Sequence, residues 1–168
     1  MITDAIRLLL FPALMAFAAS SDLLTMTISN RVSLALAAGF VAMALATGMS
    51  GAELLPHLGA GFVVLAAAFV FFACGWIGGG DAKLAAVTAL WLGFDQLPNY
   101  LLYASLIGGA MTLLMIRLRT MPLPAALQGQ EWAERLHQPD GGVPYGIALA
   151  AAALVVYPHT TWMKTLGM

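Results

Sequence analysis

Charged residues and cysteines are scarce in this chain of 168 residues. Only 9% of the residues are charged, against about 25% in soluble globular domains, and 61% are hydrophobic. The single cysteine, Cys74, excludes an internal disulfide and a zinc site of paired cysteines, and we expect it to be a small buried apolar residue. The net charge of −1 comes without a basic patch, so no nucleic-acid partner is expected. The composition predicts an all-α, polytopic membrane protein embedded in a lipid bilayer.

Linkers and repeats are also lacking. The sequence contains no Gly/Ser linker, low-complexity tail or convincing internal repeat, so we expect a single integral-membrane domain over residues 1–168. The first apolar run resembles the core of a secretory signal peptide, but Asp4 offsets the positive charge of Arg7 that such a signal requires. We therefore expect this run to be retained as the first membrane helix.

Long apolar segments are abundant instead. Six of them, at approximately 5–20, 32–49, 57–77, 83–94, 97–116 and 143–158, predict about six transmembrane helices. With six crossings, the loops near 21–31, 78–83 and 117–142 lie on one side of the membrane. These loops hold five of the seven basic residues: Arg31, Lys83, Arg117, Arg119 and Arg135. The positive-inside rule makes this side cytoplasmic and places the N-terminus outside.

The loop at about 117–142 is the one sizeable polar region. Its pattern from Ala125 to His137 predicts one amphipathic helix, with Leu127, Trp132 and Leu136 toward the membrane. Such a helix is either an interfacial connector or a lid over the active site. We expect several aromatic residues to form interfacial belts: Trp91, Trp132, Trp162, Tyr100, Tyr103 and Tyr157.

The most informative motif is Gly78-Gly79-Gly80-Asp81, which follows an uncharged run from Leu58 to Ile77. That run is long enough to cross a hydrocarbon core of roughly 30 Å. We expect the glycines to break the helix and to leave room for an extended substrate beside the acid. An aspartate at a membrane boundary is costly unless it is paired, hydrated or used in the protein's function. A second acid, Asp22, ends an earlier apolar run, and the charge count places both acids on the cytoplasmic side.

Two carboxyl groups brought together in this way would form an aspartyl protease dyad. One ionised carboxylate takes a proton from water, while the other, protonated, polarises the scissile carbonyl. Repulsion between like charges pushes the two pKa values apart, and the pair titrates jointly. Each acid also has a purely structural interpretation, Asp81 as a helix N-cap and Asp22 as the polar end of the first helix. His57 and His159 share no metal-ligand spacing, so no metal site is expected.

Three stretches of the chain resemble the type IV prepilin peptidases. Residues Gly78-Gly79-Gly80-Asp81-Ala82-Lys83-Leu84 resemble that family's GxGD segment. Asp22, followed by Ile28-Ser29-Asn30, is similar to the family's first aspartate and its Ile-Pro-Asn turn, with Ser29 in place of the usual proline. Val143-Pro144-Tyr145-Gly146 resembles the Pro-aromatic-Gly stretch that opens the last helix. GxGD alone is shared with presenilin-type proteases, whereas the combination is more specific and spans nearly the whole chain.

The resemblance implies that Asp22 and Asp81 are the catalytic pair. It implies that Asn30 fixes the turn that holds Asp22, and that Lys83 lies beside the site. A positive-inside anchor is the alternative interpretation of Lys83. In all, five further residues are implied to shape the site or to bind substrate: Gly78, Gly80, Lys83, Asn30 and Pro144.

The same resemblance implies an aspartic endopeptidase of the cell inner membrane, a prepilin leader peptidase. Its substrate would be a small prepilin, an Flp-type pilin or pseudopilin, whose short basic leader is removed after a glycine. The larger members of the family carry a cytoplasmic segment with paired CxxC motifs and an N-methyltransferase activity. This chain has a single cysteine, so methyltransferase activity is not expected. The chain therefore resembles the short branch, of the Flp (tight-adherence) or preflagellin-peptidase type, and no cofactor is expected.

Two other functions fit the same acids. A small proton-coupled transporter would use Asp22 and Asp81 as a relay, although the short segments without an inverted repeat argue against it. A non-enzymatic assembly scaffold would pair the acids with basic residues of a partner. A protease needs both carboxyl groups, whereas a transporter tolerates Asp→Glu and shows flux.

Overall fold

The computed structural model describes residues 2–164, which form helices connected by short turns. The α-helices are α1 (Ile2–Thr25), α2 (Asn30–Thr47), α3 (Gly51–Ala73), α4 (Gly79–Arg119), α5 (Glu131–His137), α6 (Tyr145–Val156) and α7 (Thr161–Lys164). Two 3-10 turns cover Ala125–Leu127 and Tyr157–His159, and no strand occurs within the described residues. The predicted all-α class is confirmed.

Local sequence signals explain several helix ends. Ser50 is the N-cap of α3, where its hydroxyl accepts from Glu53 N–H at 3.3 Å and the Glu53 carboxylate accepts from Ser50 N–H at 2.8 Å. This capping box satisfies backbone donors that a helix start leaves without partners. Gly48 ends α2 with φ 65, a left-handed conformation that glycine adopts at little cost. The turn between α2 and α3 is therefore encoded locally.

Among the described residues, five helices are long and apolar enough to cross a membrane: α1, α2, α3, α4 and the stretch Tyr145–Lys164. Their outer surfaces carry large exposed apolar side chains, such as Phe62 on α3 and Leu113 on α4. Apolar side chains on the outside of a helix bundle are what a lipid environment requires. The molecule is a multi-pass membrane protein.

Helix α4 contains both the fourth and the fifth apolar segments predicted from the sequence. Its backbone leaves the helical conformation at Gly93, with φ 66 and ψ 178. Past this break the Tyr100 hydroxyl lies within interaction range of Thr88 and of Asp81. A straight helix would separate positions 81 and 100 by about 28 Å. Helix α4 therefore folds back on itself at Gly93, and its two halves lie side by side.

His57 of α3 stabilises the break in α4. Its Nδ1 lies 2.8 Å from the Leu90 carbonyl oxygen, close to the end of the first half of α4, and its ring packs against Gly93. A break frees the carbonyl groups of the preceding helical turn, and buried carbonyl groups need a donor. The ring of His57 supplies one.

The helices alternate in direction, so both aspartates lie at one end of the bundle. Gly80, at the start of α4, packs against Ile28 between α1 and α2, and Gly79 packs against Phe72 near the end of α3. We call this end, which contains Asp22 and Asp81, the carboxylate end. At the opposite end the Tyr157 hydroxyl donates to the Arg7 carbonyl oxygen at 2.7 Å.

Trp91 lies at the centre of the core and is fully buried. Its ring is 5.2 Å from that of Phe11 and 5.4 Å from that of Trp162, and its Nε1–H donates to the Leu36 carbonyl oxygen at 2.9 Å. The prediction of interfacial belts is wrong for four aromatic residues, all of which are buried: Trp91, Trp162, Tyr100 and Tyr157. Burial satisfies the N–H donors of Trp91 and Trp162 inside the protein, and the four rings fill the space between the helices.

Two local predictions also differ from the structure. Helix α3 ends at Ala73, and Gly75 makes the turn with φ 75, so Gly79 and Gly80 lie in the first turn of α4 instead of breaking a helix. Cys74, expected to be buried, is exposed at the end of α3. The amphipathic helix predicted over 125–137 is divided by Gly129, with φ 82, and only Glu131–His137 is α-helical.

Candidate active site

Asp22 lies in the last turn of α1 and is almost fully buried, with 4% of its surface exposed. Its Oδ2 accepts a hydrogen bond of 2.7 Å from the N–H of Gly146, the second residue of α6. The first N–H groups of a helix have no partner within the helix, so they are available to a carboxylate. Pro144, fully buried, precedes α6 and fixes where this helix begins. The sequence pattern around Pro144 therefore positions the donor to Asp22.

Asp81 is the third residue of α4 and is half-buried. The N-cap of α4 is Gly78, so the interpretation of Asp81 itself as the N-cap is wrong. The carboxyl group lies back over Gly78, where an added Cβ would be 3.0 Å from Asp81 Oδ2. A side chain at position 78 would crowd the carboxyl group, and the glycine leaves that space open.

The starts of α4 and α6 bring the two acids together at the end of α1. The carboxyl groups of Asp22 and Asp81 are close enough for their charges to interact. Ile28 lies between the two helix starts: a Cβ added to Gly80 would be 3.1 Å from Ile28 Cβ, and one added to Gly146 would be 2.6 Å from Ile28 Cδ1. Both glycines therefore permit a close approach of backbone that a larger residue would prevent.

Lys83 and Asn30 form a second polar pair at the carboxylate end. The Lys83 ammonium group donates to Asn30 Oδ1 at 2.8 Å, and both side chains are exposed. This bond connects the start of α2 to the first turns of α4. Ser29, which stands where a proline was expected from the resemblance, is the N-cap of α2 and accepts from Arg31 N–H at 3.3 Å.

Arginine side chains attach the polar segment after α4 to the carboxylate end. Arg135 donates to the carbonyl oxygen of Leu24, two residues after Asp22, at 2.7 Å. Arg119 donates to the carbonyl oxygens of Leu136 at 2.9 Å and Gly142 at 2.7 Å. Sequence reasoning counted these arginines only as topology signals. Their contacts depend on a fold that brings residues far apart in sequence together, and nothing in the local pattern indicates them.

Sequence reasoning also missed Gly146 and Ile28 as site residues, although both belong to stretches singled out by the resemblance.

A cavity of about 530 Å³ lies at the end of the bundle opposite the carboxylate end and is lined by His57, Asp95 and His159 among others. It contains neither Asp22 nor Asp81. Within residues 2–164, no three His, Cys, Asp or Glu side chains are grouped to hold a metal ion.

Two adjacent carboxyl groups can share a proton and act on a water molecule between them. Because Asp22 Oδ2 accepts from Gly146 N–H, that oxygen serves as an acceptor. The donor also holds the carboxylate plane in one orientation. The arrangement is asymmetric, since α6 orients Asp22 whereas Asp81 lies on the first turn of its own helix.

The fold and the site define a multi-pass, all-helical membrane protein with paired acids at one end of the bundle. The model of the type IV leader peptidase family matches residues 9–113, which include both Asp22 and Asp81. The chain belongs to the type IV leader peptidase family. No curated protein and no solved structure matches the chain significantly.

Proposed function

We propose that the protein is an aspartyl endopeptidase that removes the short basic leader of a prepilin after a glycine. The observation that carries the proposal is the meeting of Asp22 and Asp81 at one end of the bundle, within the region matched by the leader peptidase family. The two acids come from helices far apart in sequence. A purely structural role for each would not require them to be neighbours.

The proposed reaction is hydrolysis of one peptide bond by an activated water. The ionised carboxylate takes a proton from the water, whose oxygen attacks the carbonyl carbon, while the protonated carboxyl group donates to the carbonyl oxygen. The tetrahedral intermediate then collapses, the C–N bond breaks, and a carboxyl group of the dyad returns a proton to the leaving amine. Gly146 N–H keeps Asp22 oriented throughout these steps.

The proposed topology has six crossings, with the N-terminus outside and the dyad at the cytoplasmic boundary of the inner membrane. The reversal of α4 at Gly93 supports six crossings, because it divides the longest helix into two antiparallel halves. Basic residues of the carboxylate end support the orientation: Arg31, Lys83, Arg117, Arg119 and Arg135. A leader that remains in the cytoplasm would then lie on the same side as the two acids.

Co-expression with small pilin precursors tests the proposed function. The wild-type protein is expected to shorten one of them, and mass spectrometry of the product should locate the cut after a glycine, before the apolar helix. Precursors of the Flp type are the first choice. If no pilin precursor is shortened by protein that is correctly inserted in the membrane, the prepilin peptidase function is wrong.

Gly146→Ala tests the role of the start of α6. The added Cβ would lie 2.7 Å from Asp22 Oδ2 and 2.6 Å from Ile28 Cδ1, so the Asp22 carboxylate must shift. Displacement of a reacting group by about 1 Å costs up to about 100-fold in rate, and we expect cleavage of the precursor to fall about 10- to 100-fold. Time courses of precursor cleavage with the purified variant measure this.

Gly51→Ala is the matched control, because Gly51 also lies at a helix start and a Cβ there meets nothing within 4 Å. The Gly51→Ala variant should cleave the precursor at the wild-type rate. Equal rates for Gly146→Ala and Gly51→Ala would show that the contact between α6 and Asp22 does not position the carboxylate.

A further inference from the structure

A groove of about 480 Å³ opens on the outer surface of the bundle between α2 and α3. The first half of α4 forms its floor, with Ala86 and Val87, and Gly61 of α3 lies beside them. Large side chains form the rims, among them Leu34 on α2 and Phe62 on α3, which are 67% and 72% exposed. The groove is therefore apolar over most of its length and open on the outer surface of the bundle.

One end of the groove lies at the carboxylate end of the bundle. Helices α2 and α3 are joined by a short turn at 48–50 but make almost no contact with each other along their lengths. Both pack on α4 instead. At the carboxylate end the groove reaches Asn30 and Lys83, whose side chains are hydrogen-bonded to each other at 2.8 Å. Lys83 is two residues from Asp81 on α4, so this end of the groove lies across the start of α4 from the proposed dyad.

We propose that this groove binds the apolar membrane helix of the substrate, adjacent to the bond that is cut. The inference rests on the proposed function, because it assigns a binding surface to the same site. Gly61 and Ala86 let a helix backbone approach the groove closely, which is how helices associate where lipid provides no hydrophobic driving force. The rim side chains Leu34 and Phe62 would then pack on either side of the bound helix.

The polar mouth fits a peptide whose helix ends there. A cleavable bond must be extended, and backbone that leaves the helical conformation at membrane depth needs hydrogen-bond partners. Asn30, Ser33 and Lys83 line this end of the groove and offer an amide, a hydroxyl and an ammonium group. The first turn of α4 then separates the mouth from Asp81, and Gly78 at its start is exposed and carries no side chain to block an extended strand.

The geometry also limits where the scissile bond lies. An α-helix is about 10 Å across with its side chains, and an extended chain advances about 3.3 Å per residue. A strand crossing the start of α4 from Lys83 to Asp81 therefore spans roughly three residues. The bond that is cut lies within a few residues of the end of the groove-bound helix.

Kinetics of a groove-filling variant test the proposal. Ala37 lines the groove and Ala38, the next residue, is exposed outside it. With the pilin precursor that the wild type cleaves, Ala37→Trp should raise KM at least about 10-fold with kcat at saturation largely kept, because the indole occupies space needed for docking. Ala38→Trp should behave as wild type. Equal kinetics for the two variants would overturn the proposal.

Photo-crosslinking identifies the occupant directly. p-Benzoyl-phenylalanine at position 37 in the Asp81→Asn background, with the uncut precursor present, should give an adduct through the precursor's apolar helix. The same group at position 38 should not. Adducts with lipid alone at position 37 would assign the groove to an acyl chain and overturn the proposal. If the wild type cleaves no precursor, the proposed function is wrong. If the wild type cleaves a precursor but the variants at positions 37 and 38 behave alike, only the proposed binding role of the groove is wrong.

Discussion

Asp22→Asn and Asp81→Asn are each expected to abolish cleavage of the pilin precursor, with a loss of about 100- to 10,000-fold. Asparagine has almost the same shape as aspartate but neither accepts a proton from water nor shares one with the other acid. Removal of either carboxyl group therefore disables both partners. The size of the precursor on a gel, after co-expression with each variant, measures the loss. Membrane fractionation and thermal unfolding in detergent should show that both variants are inserted and folded.

Asp95→Asn is the matched control. Asp95 lies in α4 like Asp81, but it is exposed and lines the cavity at the opposite end of the bundle. The same substitution there should leave cleavage unchanged. Processing by Asp22→Asn or Asp81→Asn at the wild-type rate would rule out the two-carboxylate mechanism. Proton flux that persists in Asp→Glu variants would then favour the transporter, since a protease dyad is displaced by an extra methylene.

Gly93→Ala is expected to lower the free energy of unfolding by at least about 2 kcal/mol, because the backbone at Gly93 has φ 66 and ψ 178. This conformation is essentially confined to glycine. An added Cβ would also lie 3.2 Å from His57 Cε1, so the ring that stabilises the break would have to move. Thermal unfolding of the purified protein in detergent measures the change. Cleavage should fall as well, since the reversal of α4 sets the position of Asp81 relative to α6.

Gly109→Ala provides the comparison for the same substitution in the same helix. Gly109 is helical and a Cβ there meets nothing within 4 Å, so the variant should be as stable as the wild type or slightly more stable. If Gly93→Ala unfolds at the same temperature as Gly109→Ala, the reversal at Gly93 does not depend on glycine, and the account of the break is wrong.

Much of the helical architecture follows from local signals in the sequence. The apolar segments predicted near 5–20, 32–49 and 57–77 correspond to α1, α2 and α3, because about twenty apolar residues need to satisfy their backbone groups within a helix. The predicted helix boundaries were less accurate. The glycines at 78–80 were expected to end a helix, whereas α4 begins among them, since a glycine permits a turn but does not require one.

The prediction of interfacial belts was wrong for a physical reason that differs from the one for the helix boundaries. Tryptophan and tyrosine favour a membrane interface because one edge is polar and the rest is apolar. A carbonyl group inside the protein meets the same need, as the Leu36 carbonyl does for Trp91 and the Trp91 carbonyl does for Trp162. Sequence position near a segment end does not distinguish the two environments. Only the packing of neighbouring helices decides between them.

The sequence alone determined that this protein is helical and apolar, that two acids end apolar runs, and which family its motifs resemble. Hydrophobicity, capping and motif spacing are properties of consecutive residues, so they can be read without a fold. The tertiary structure decided the rest: the reversal at Gly93, the hydrogen bond from Gly146 to Asp22, and the groove that leads to Lys83. Each of these depends on contacts between residues far apart in sequence. Such contacts arise only when helices pack, because packing selects one arrangement among many that local propensities allow equally.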